Sequence, residues 1–503
     1  MSFTSFQFIG FYIGTVLIHY LLPQRFRNIF LLVASLYFYK TGGARNLIFL
    51  SFSILTTFFI TRKLAGTSSE NEPRTKKLYL ASLIIINLLV LFFFKYDFSF
   101  GPFSWIMPLG ISFYTFQLIS YAVDVYRGKI KAEKNLIDFA LFMSFFPYVI
   151  SGPISRGADI LPQIKAKRTL DVEQWTAGGK LLLLGCFKKV VVADTIAPFV
   201  DYMYADYDLH GYQGGTLIIL VVLYAIQLYA DFSGYSDMAS GAAQMLGFKL
   251  RANFVAPYLT KSFSQFWNHW HITLGHWLKD YVYIPLGGNR KGVKRKCINL
   301  FLVFVISGIW HGSTWSFVLW GMMHGCFRVV EELIQRCFPG THKAVESQGT
   351  ENSKRSFWFV TKSIAKWLVV QSLVAYAWIL FRADSVRRFL AMTRQMFNFE
   401  SWRTTLNNIS DIFLLTYNES ASIATLFKWS LIASIICLIY IDIKEFRSIP
   451  DVRIYRDRTT IFSLSKKWLR YGCYFIIILW IVLIYWFQNS IVGQTSSFIY
   501  FQF

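Results

Sequence analysis

The stretch LYLASLIIINLLVLFFF, Leu78 to Phe94, runs for seventeen residues without an acidic or basic side chain. A second stretch, YGCYFIIILWIVLIYWFQNSIV from Tyr471 to Val492, does the same for twenty-two. About 20 apolar residues carry a helix across a bilayer core, so the first approaches that length and the second meets it. The alternating ten-residue segments of a membrane barrel are absent, which leaves helices as the way across.

Further apolar runs lie near 5–22, 27–39, 46–60, 104–123, 137–150, 180–198, 215–230, 299–322, 361–381 and 425–441. The expected fold is therefore all-α and polytopic, with about eleven or twelve membrane segments in one integral membrane domain over 1–503. Gly and Pro interrupt several of them, as in MPLGISFYTF (107–116), FPYVISGPISRG (146–157) and DFSGYSDM (231–238). Broken backbone at membrane depth is tolerated where it lines a protein-enclosed cavity, so these segments are expected to be broken or re-entrant. The start, MSFTSFQFIGFYIGTVLIHYLL, lacks a basic first region and a small-residue cleavage site, and reads as a retained first span. Residues 342–356 read as a cytoplasmic loop, and 383–424 as interfacial amphipathic helices.

Composition agrees. Of 503 residues, 54% are hydrophobic, 19% aromatic and 16% charged, against about 25% charged in soluble domains. Lys and Arg exceed Asp and Glu by 51 to 28, but the excess sits in short clusters between apolar runs. That distribution argues against nucleic acid as a partner and marks cytoplasmic loops at Arg62–Lys77, Arg127–Lys134 and Lys444–Arg470. Six scattered cysteines show no metal or redox spacing and read as apolar filler.

Chemistry concentrates in FWNHWHITLGHWLKDYVYIPLGGNRKG, Phe266 to Gly292. If Phe266 to Lys279 is one helix, Phe263, Trp267, His271, Leu274 and Leu278 share a face. His271 is then either a hydrogen-bonded core residue or part of a site. His269 and His276 project elsewhere, and Asp280 is the nearby carboxylate, so no metal site is expected. The next span, NLFLVFVISGIWHGSTWSFVLWGMMHG (299–325), sets His311 between Trp310 and Gly312 in an apolar run. A polar residue at that depth is costly and invites a functional reading, and a neutral imidazole is a competent general base. Its alternative is a hydrogen bond between packed helices. His324 lies thirteen residues on, about 220° around an ideal helix, and is expected to face away from His311 in a structural role.

Three blocks together, LYADFSGYSDMASGAAQMLGF (228–248), 266–292 and GIWHGSTWSFVLWGMMHG (308–325), resemble the membrane-bound O-acyltransferase (MBOAT) superfamily. With PLGISFYTFQLISYAVDVYRG (108–128) and FFPYVISGPISR (145–156), the resemblance extends along the chain and is nearest to the alginate O-acetylation branch. It implies the MBOAT fold around a central tunnel, with a catalytic core at about 104–330 and C-terminal spans plus an aromatic tail at 357–503. It also implies that His311 is catalytic and that His271 is the second histidine, in WNHWHIT, where Thr273 replaces the common serine. Trp267, Trp270 and Trp310 are expected to wall the passage, with Asn268 and Asp237 as weaker candidates.

Arg290, Lys291, Lys294, Arg295 and Lys296 are expected on the cytoplasmic rim, either steering the phosphates of an acetyl-CoA donor or serving only as positive-inside anchors. No bound cofactor is expected. The tail TSSFIYFQF is expected on the far side, with Tyr500 as a transient acetyl carrier or, alternatively, an interfacial anchor. The expected activity is acetyl transfer across a bacterial cytoplasmic membrane for O-acetylation of an extracytoplasmic polysaccharide, completed by an exported acetyltransferase partner. Rival readings are D-alanyl transfer to teichoic acid and a non-enzymatic lipid-linked sugar transporter.

Overall fold

A computed structural model describes residues 1–68, 72–96, 107–210, 212–338, 357–383, 385–398, 401–416, 421–448 and 467–489. The loop at 342–356 and the tail with Tyr500 lie outside them. Among the described residues no strand forms.

Four helices open the chain: α1 (Phe6–Leu21), α2 (Gln24–Lys40), α3 (Ala44–Gly66) and α4 (Pro73–Lys95). The Ser5 hydroxyl accepts from the Phe8 N–H to start α1, and Pro73 occupies the first turn of α4, where its missing N–H costs nothing. α5 (Ile111–Tyr126) follows, then the short α6 (Leu136–Ser144) and α7 (Gly157–Lys165). α8 (Val172–Cys186) runs through a π-helical turn, Phe187–Ala193, into α9 (Asp194–His210). Next come α10 (Gly214–Met245), α11 (Phe263–His269), α12 (Ile272–Leu278) and a second π-helical turn, Lys279–Tyr283. α13 (Gly292–His311) and α14 (Trp315–Cys337) form a hairpin. The C-terminal part holds α15 (Phe357–Arg382), α16 (Val386–Met396), α17 (Trp402–Thr416), α18 (Ala421–Ser448) and α19 (Lys467–Phe487).

Six of these helices hold apolar stretches long enough to cross a bilayer: Ala44–Gly66, Pro73–Lys95, Gly214–Met245, Val360–Arg382, Thr425–Ser448 and Trp468–Phe487. The protein is thus a multi-pass membrane protein. Other expected segments are shorter or broken; the run at 137–150 gives only the nine residues of α6 before an irregular buried turn. α10 is the central element, with 67% of its apolar window buried, whereas α19 has 6% buried and faces outward. α16 and α17 fall in the region read as amphipathic, and α16 buries Phe389 and Met392 while exposing Leu390.

Two expected helices divide. The single helix anticipated over Phe266–Lys279 breaks at Trp270 and His271, where His271 takes a left-handed backbone (φ 43°). An extended segment causes the break: the Val255 N–H donates to the His269 carbonyl and the Ile272 N–H to the Asn253 carbonyl. Trp267 and His271 therefore do not share a face. The run at 299–322 also splits, because Gly312 is extended and Ser313 and Thr314 leave the helix. α13 and α14 then fold back on each other through Gly308 and Gly321. A Cβ on Gly308 would collide with the Phe317 carbonyl, and one on Gly321 with that of Phe304. His324 accordingly does not turn away from His311; both rings pack on Trp320, at 5.0 and 5.1 Å.

The run at 180–198 contains buried charge. Lys188 pairs with Asp237 at 2.8 Å, and Lys189 with Asp194 at 2.8 Å and Asp231 at 2.7 Å. Both lysines lie in the first π-helical turn.

Two of the basic clusters meet. Lys76 lies over the ring of Tyr126 at 5.9 Å, which joins the start of α4 to the end of α5. The following loop is pinned by Glu133, which pairs with Lys165 at 2.6 Å and accepts from the N–H groups of Lys134 and Asn135. Burial pushes its carboxyl up, but Lys165 and the two N–H groups outweigh that and hold it below the ordinary glutamate value.

Candidate active site

His311 ends α13, at the opposite end from the basic residues that precede and open the helix. Its ring meets Trp310 at 4.6 Å, Phe381 of α15 at 5.0 Å and Trp320 of α14 at 5.1 Å, all edge-on. Only 5% of the residue is exposed. The ring is therefore buried in an aromatic surround, and none of these contacts shows the solvated passage of the expected tunnel.

His271 also packs on Trp310, 6.3 Å away between ring centres. Phe232 of α10 meets its ring edge-on at 4.8 Å, and Phe113 of α5 and Phe254 stack at 6.2 and 6.3 Å. Its Nδ1 lies 3.1 Å from Oδ1 of Asn253. The two histidines thus share Trp310 as a common wall, brought together from the α11–α12 break and the end of α13.

Trp310 caps an aromatic column. It stacks on Phe116 at 5.0 Å, and Phe116 stacks on Trp277 at 3.9 Å. Trp277 meets Tyr281 at 5.2 Å, and Arg156 and Arg127 lie over Tyr281 at 5.1 and 5.6 Å. Arg156 also pairs with Asp280 at 2.6 Å. The column therefore links the basic end of the molecule to the histidine pair. Beside that end Pro153, Ile154, Ser155, Asp159, Ile160 and Arg251 line a small cleft.

The other sequence-predicted residues are dispersed. Trp270 supports the site from behind, against Phe254 at 5.1 Å and Trp378 at 4.9 Å. Trp267 packs instead on His324 (4.9 Å) and Phe304 (5.1 Å). Asn268 is exposed on α11, so it lines no enclosed passage. Asp237 is buried in its ion pair with Lys188. Arg290 and Lys291 are exposed just before α13, a helix about 30 Å long by its rise, and so stand far from His311. Tyr500 is not among the described residues.

Four residues of the site were not singled out in the sequence: Asn253, Phe113, Phe381 and Lys95. The Lys95 ammonium, at the end of α4, lies over the Trp310 ring at 5.3 Å, on the far side from the basic loops. Only its place at the end of an apolar run marked it, and that reads equally as a span-ending lysine.

Residues 130–374 match a family model described as MBOAT, membrane-bound O-acyltransferase family. The chain is 35% identical over 414 residues to the probable alginate O-acetylase of Pseudomonas putida, covering 79% of this chain and 80% of that protein. It is 33% identical over 461 residues to the corresponding protein of Azotobacter vinelandii, covering 88% and 85%. Against the peptidoglycan O-acetyltransferase of Helicobacter pylori the figures are 34% over 442 residues, 78% of each chain. The helical membrane architecture, the buried histidine pair and identity sustained over most of both chains lead to one conclusion: this chain belongs to the membrane-bound O-acyltransferase family and is an O-acyltransferase.

Proposed function

We propose that the enzyme takes acetyl from acetyl-CoA on the cytoplasmic side of a bacterial cytoplasmic membrane and releases it outside for O-acetylation of a polysaccharide. The observation that carries this reading is the pairing of His311 and His271 across Trp310 at the end of α13 remote from the basic rim. Relatives named for O-acetylation of alginate and of peptidoglycan support acetyl as the group and an envelope polymer as its destination.

In this reading His311 is the general base. A hydroxyl oxygen of the acceptor bonds to the acetyl carbon, the carbon–sulfur bond of the thioester breaks, and the hydroxyl proton passes to His311 and on to the departing thiolate. His271 positions the reacting groups from the facing wall. Arg127 and Arg156, at the cytoplasmic foot of the aromatic column, join the rim residues Arg290 and Lys291 in attracting the phosphates of the donor. Tyr500 is the first acceptor, its phenol holding acetyl as an ester that an exported acetyltransferase then draws on.

The experiment is His311→Ala in purified, lipid-reconstituted enzyme. Turnover of labelled acetyl-CoA falls by about 10²- to 10⁴-fold while the thermal unfolding transition stays in place, since a base contributes on that scale. Unchanged turnover in a folded variant removes His311 as the general base.

A further inference from the structure

We propose that Asn253 is a positioning residue that fixes His271 as the Nδ1-protonated tautomer, leaving Nε2 as the nitrogen able to take a proton or accept a hydrogen bond. The proposal rests on the reading of His271 as a member of the reacting pair and specifies how it is set up for that work.

The polarity of the network follows from two groups that can only donate. The Thr273 backbone N–H faces a side-chain atom of Asn253 at 3.3 Å, so that atom must be the carbonyl oxygen, Oδ1. The amide nitrogen then faces Ser236 Oγ, at 3.2 Å. The Ile154 backbone N–H donates to Thr273 Oγ1 at 3.0 Å, which leaves the hydroxyl hydrogen to donate to the same Oδ1 at 2.8 Å. Nδ1 of His271, 3.1 Å from that oxygen, has no lone-pair acceptor role open to it and must carry hydrogen. Which ring nitrogen bears the proton is thus decided by a partner eighteen residues away in the chain.

The backbone is fixed by the same residue. The Asn253 carbonyl accepts from the Ile272 N–H at 2.9 Å, holding the peptide that follows His271. His271 itself has φ 43°, a left-handed conformation that is costly for a non-glycine residue and persists only where its surroundings impose it. Asn253 is 2% exposed, so water does not compete for these bonds. Strained backbone, a buried ring and one amide that satisfies both describe a side chain held for a purpose; packing alone asks only that the ring be enclosed.

The test is NMR of the histidine ring nitrogens in isotopically labelled enzyme in lipid, with the His271 signals identified by their loss in His271→Gln. Expected is protonated Nδ1 in the native protein and in Asn253→Asp, which keeps the acceptor, and a switch to protonated Nε2 in Asn253→Leu. A native spectrum with protonated Nε2, or no switch in Asn253→Leu, overturns the proposal. Should Asn253→Leu fail to fold, the native and Asn253→Asp spectra decide it. Turnover supplies the second readout. Asn253→Leu loses about 10²-fold, within the range a general acid or base supplies, yet costs nothing further in a His271→Gln background. Multiplying losses mark a purely structural role and overturn positioning. Full activity of His271→Gln instead removes the catalytic reading of His271, while the spectrum still settles the tautomer.

Discussion

At the scale of single residues, Trp310 is where the site is joined. One indole meets His311 at 4.6 Å, His271 at 6.3 Å and Phe116 at 5.0 Å, and carries the Lys95 ammonium over its face. Trp310→Ala is expected to cost about 3–5 kcal/mol of stability by the cavity it leaves, and to disable both histidines together. Trp310→Phe retains a stacking face and most of both properties. Thermal unfolding and turnover of the two variants, measured side by side, check this. His311, Trp310 and His271 were singled out in the sequence because histidines and tryptophans stand out in a predominantly apolar chain, and the structure sets both histidines against Trp310. Asn253 was not: nothing in RANFVAP marks it, and its role exists only once Ser236, Thr273 and His271 are brought around it.

Among the elements, apolar runs announced where helices lie but not where they stop. The α11–α12 break depends on hydrogen bonds from residues 253–255, and the α13–α14 turn on the close fit of Gly308 and Gly321, so periodicity within either stretch gave no warning. The π-helical turn Phe187–Ala193 was hidden for another reason: 180–198 reads as one apolar run, and Asp231 and Asp237, which pair with its two lysines, lie about forty to fifty residues further on. Lys188→Met is expected to cost about 3–5 kcal/mol, because Asp237 is left buried without that cation. Lys188→Met combined with Asp237→Leu is expected to cost less than Lys188→Met alone. Denaturation midpoints of the single and double variants in the same detergent test the ordering.

For the whole molecule, α13 opens beside basic residues and ends at His311, and the proposed function makes the first end the donor side and the second the delivery side. α19 starts in the basic cluster that ends at Arg470 and continues as an apolar helix to Phe487. Enzyme incubated with labelled acetyl-CoA and digested is expected to carry the label on its C-terminal peptide, found by mass spectrometry. A fully active Tyr500→Phe enzyme removes Tyr500 from the pathway. The buried pairs of Lys188 and Lys189 also bear on how the protein is made. Lys188 leaves the ribosome well before Asp237, whereas Lys189 is followed at once by Asp194, and an ammonium alone at the centre of a membrane helix costs about 2.5–3.5 kcal/mol on insertion scales. Biogenesis therefore favours holding the nascent segment with Lys188 at the translocon until α10 arrives with Asp237, so that this lysine enters lipid already paired.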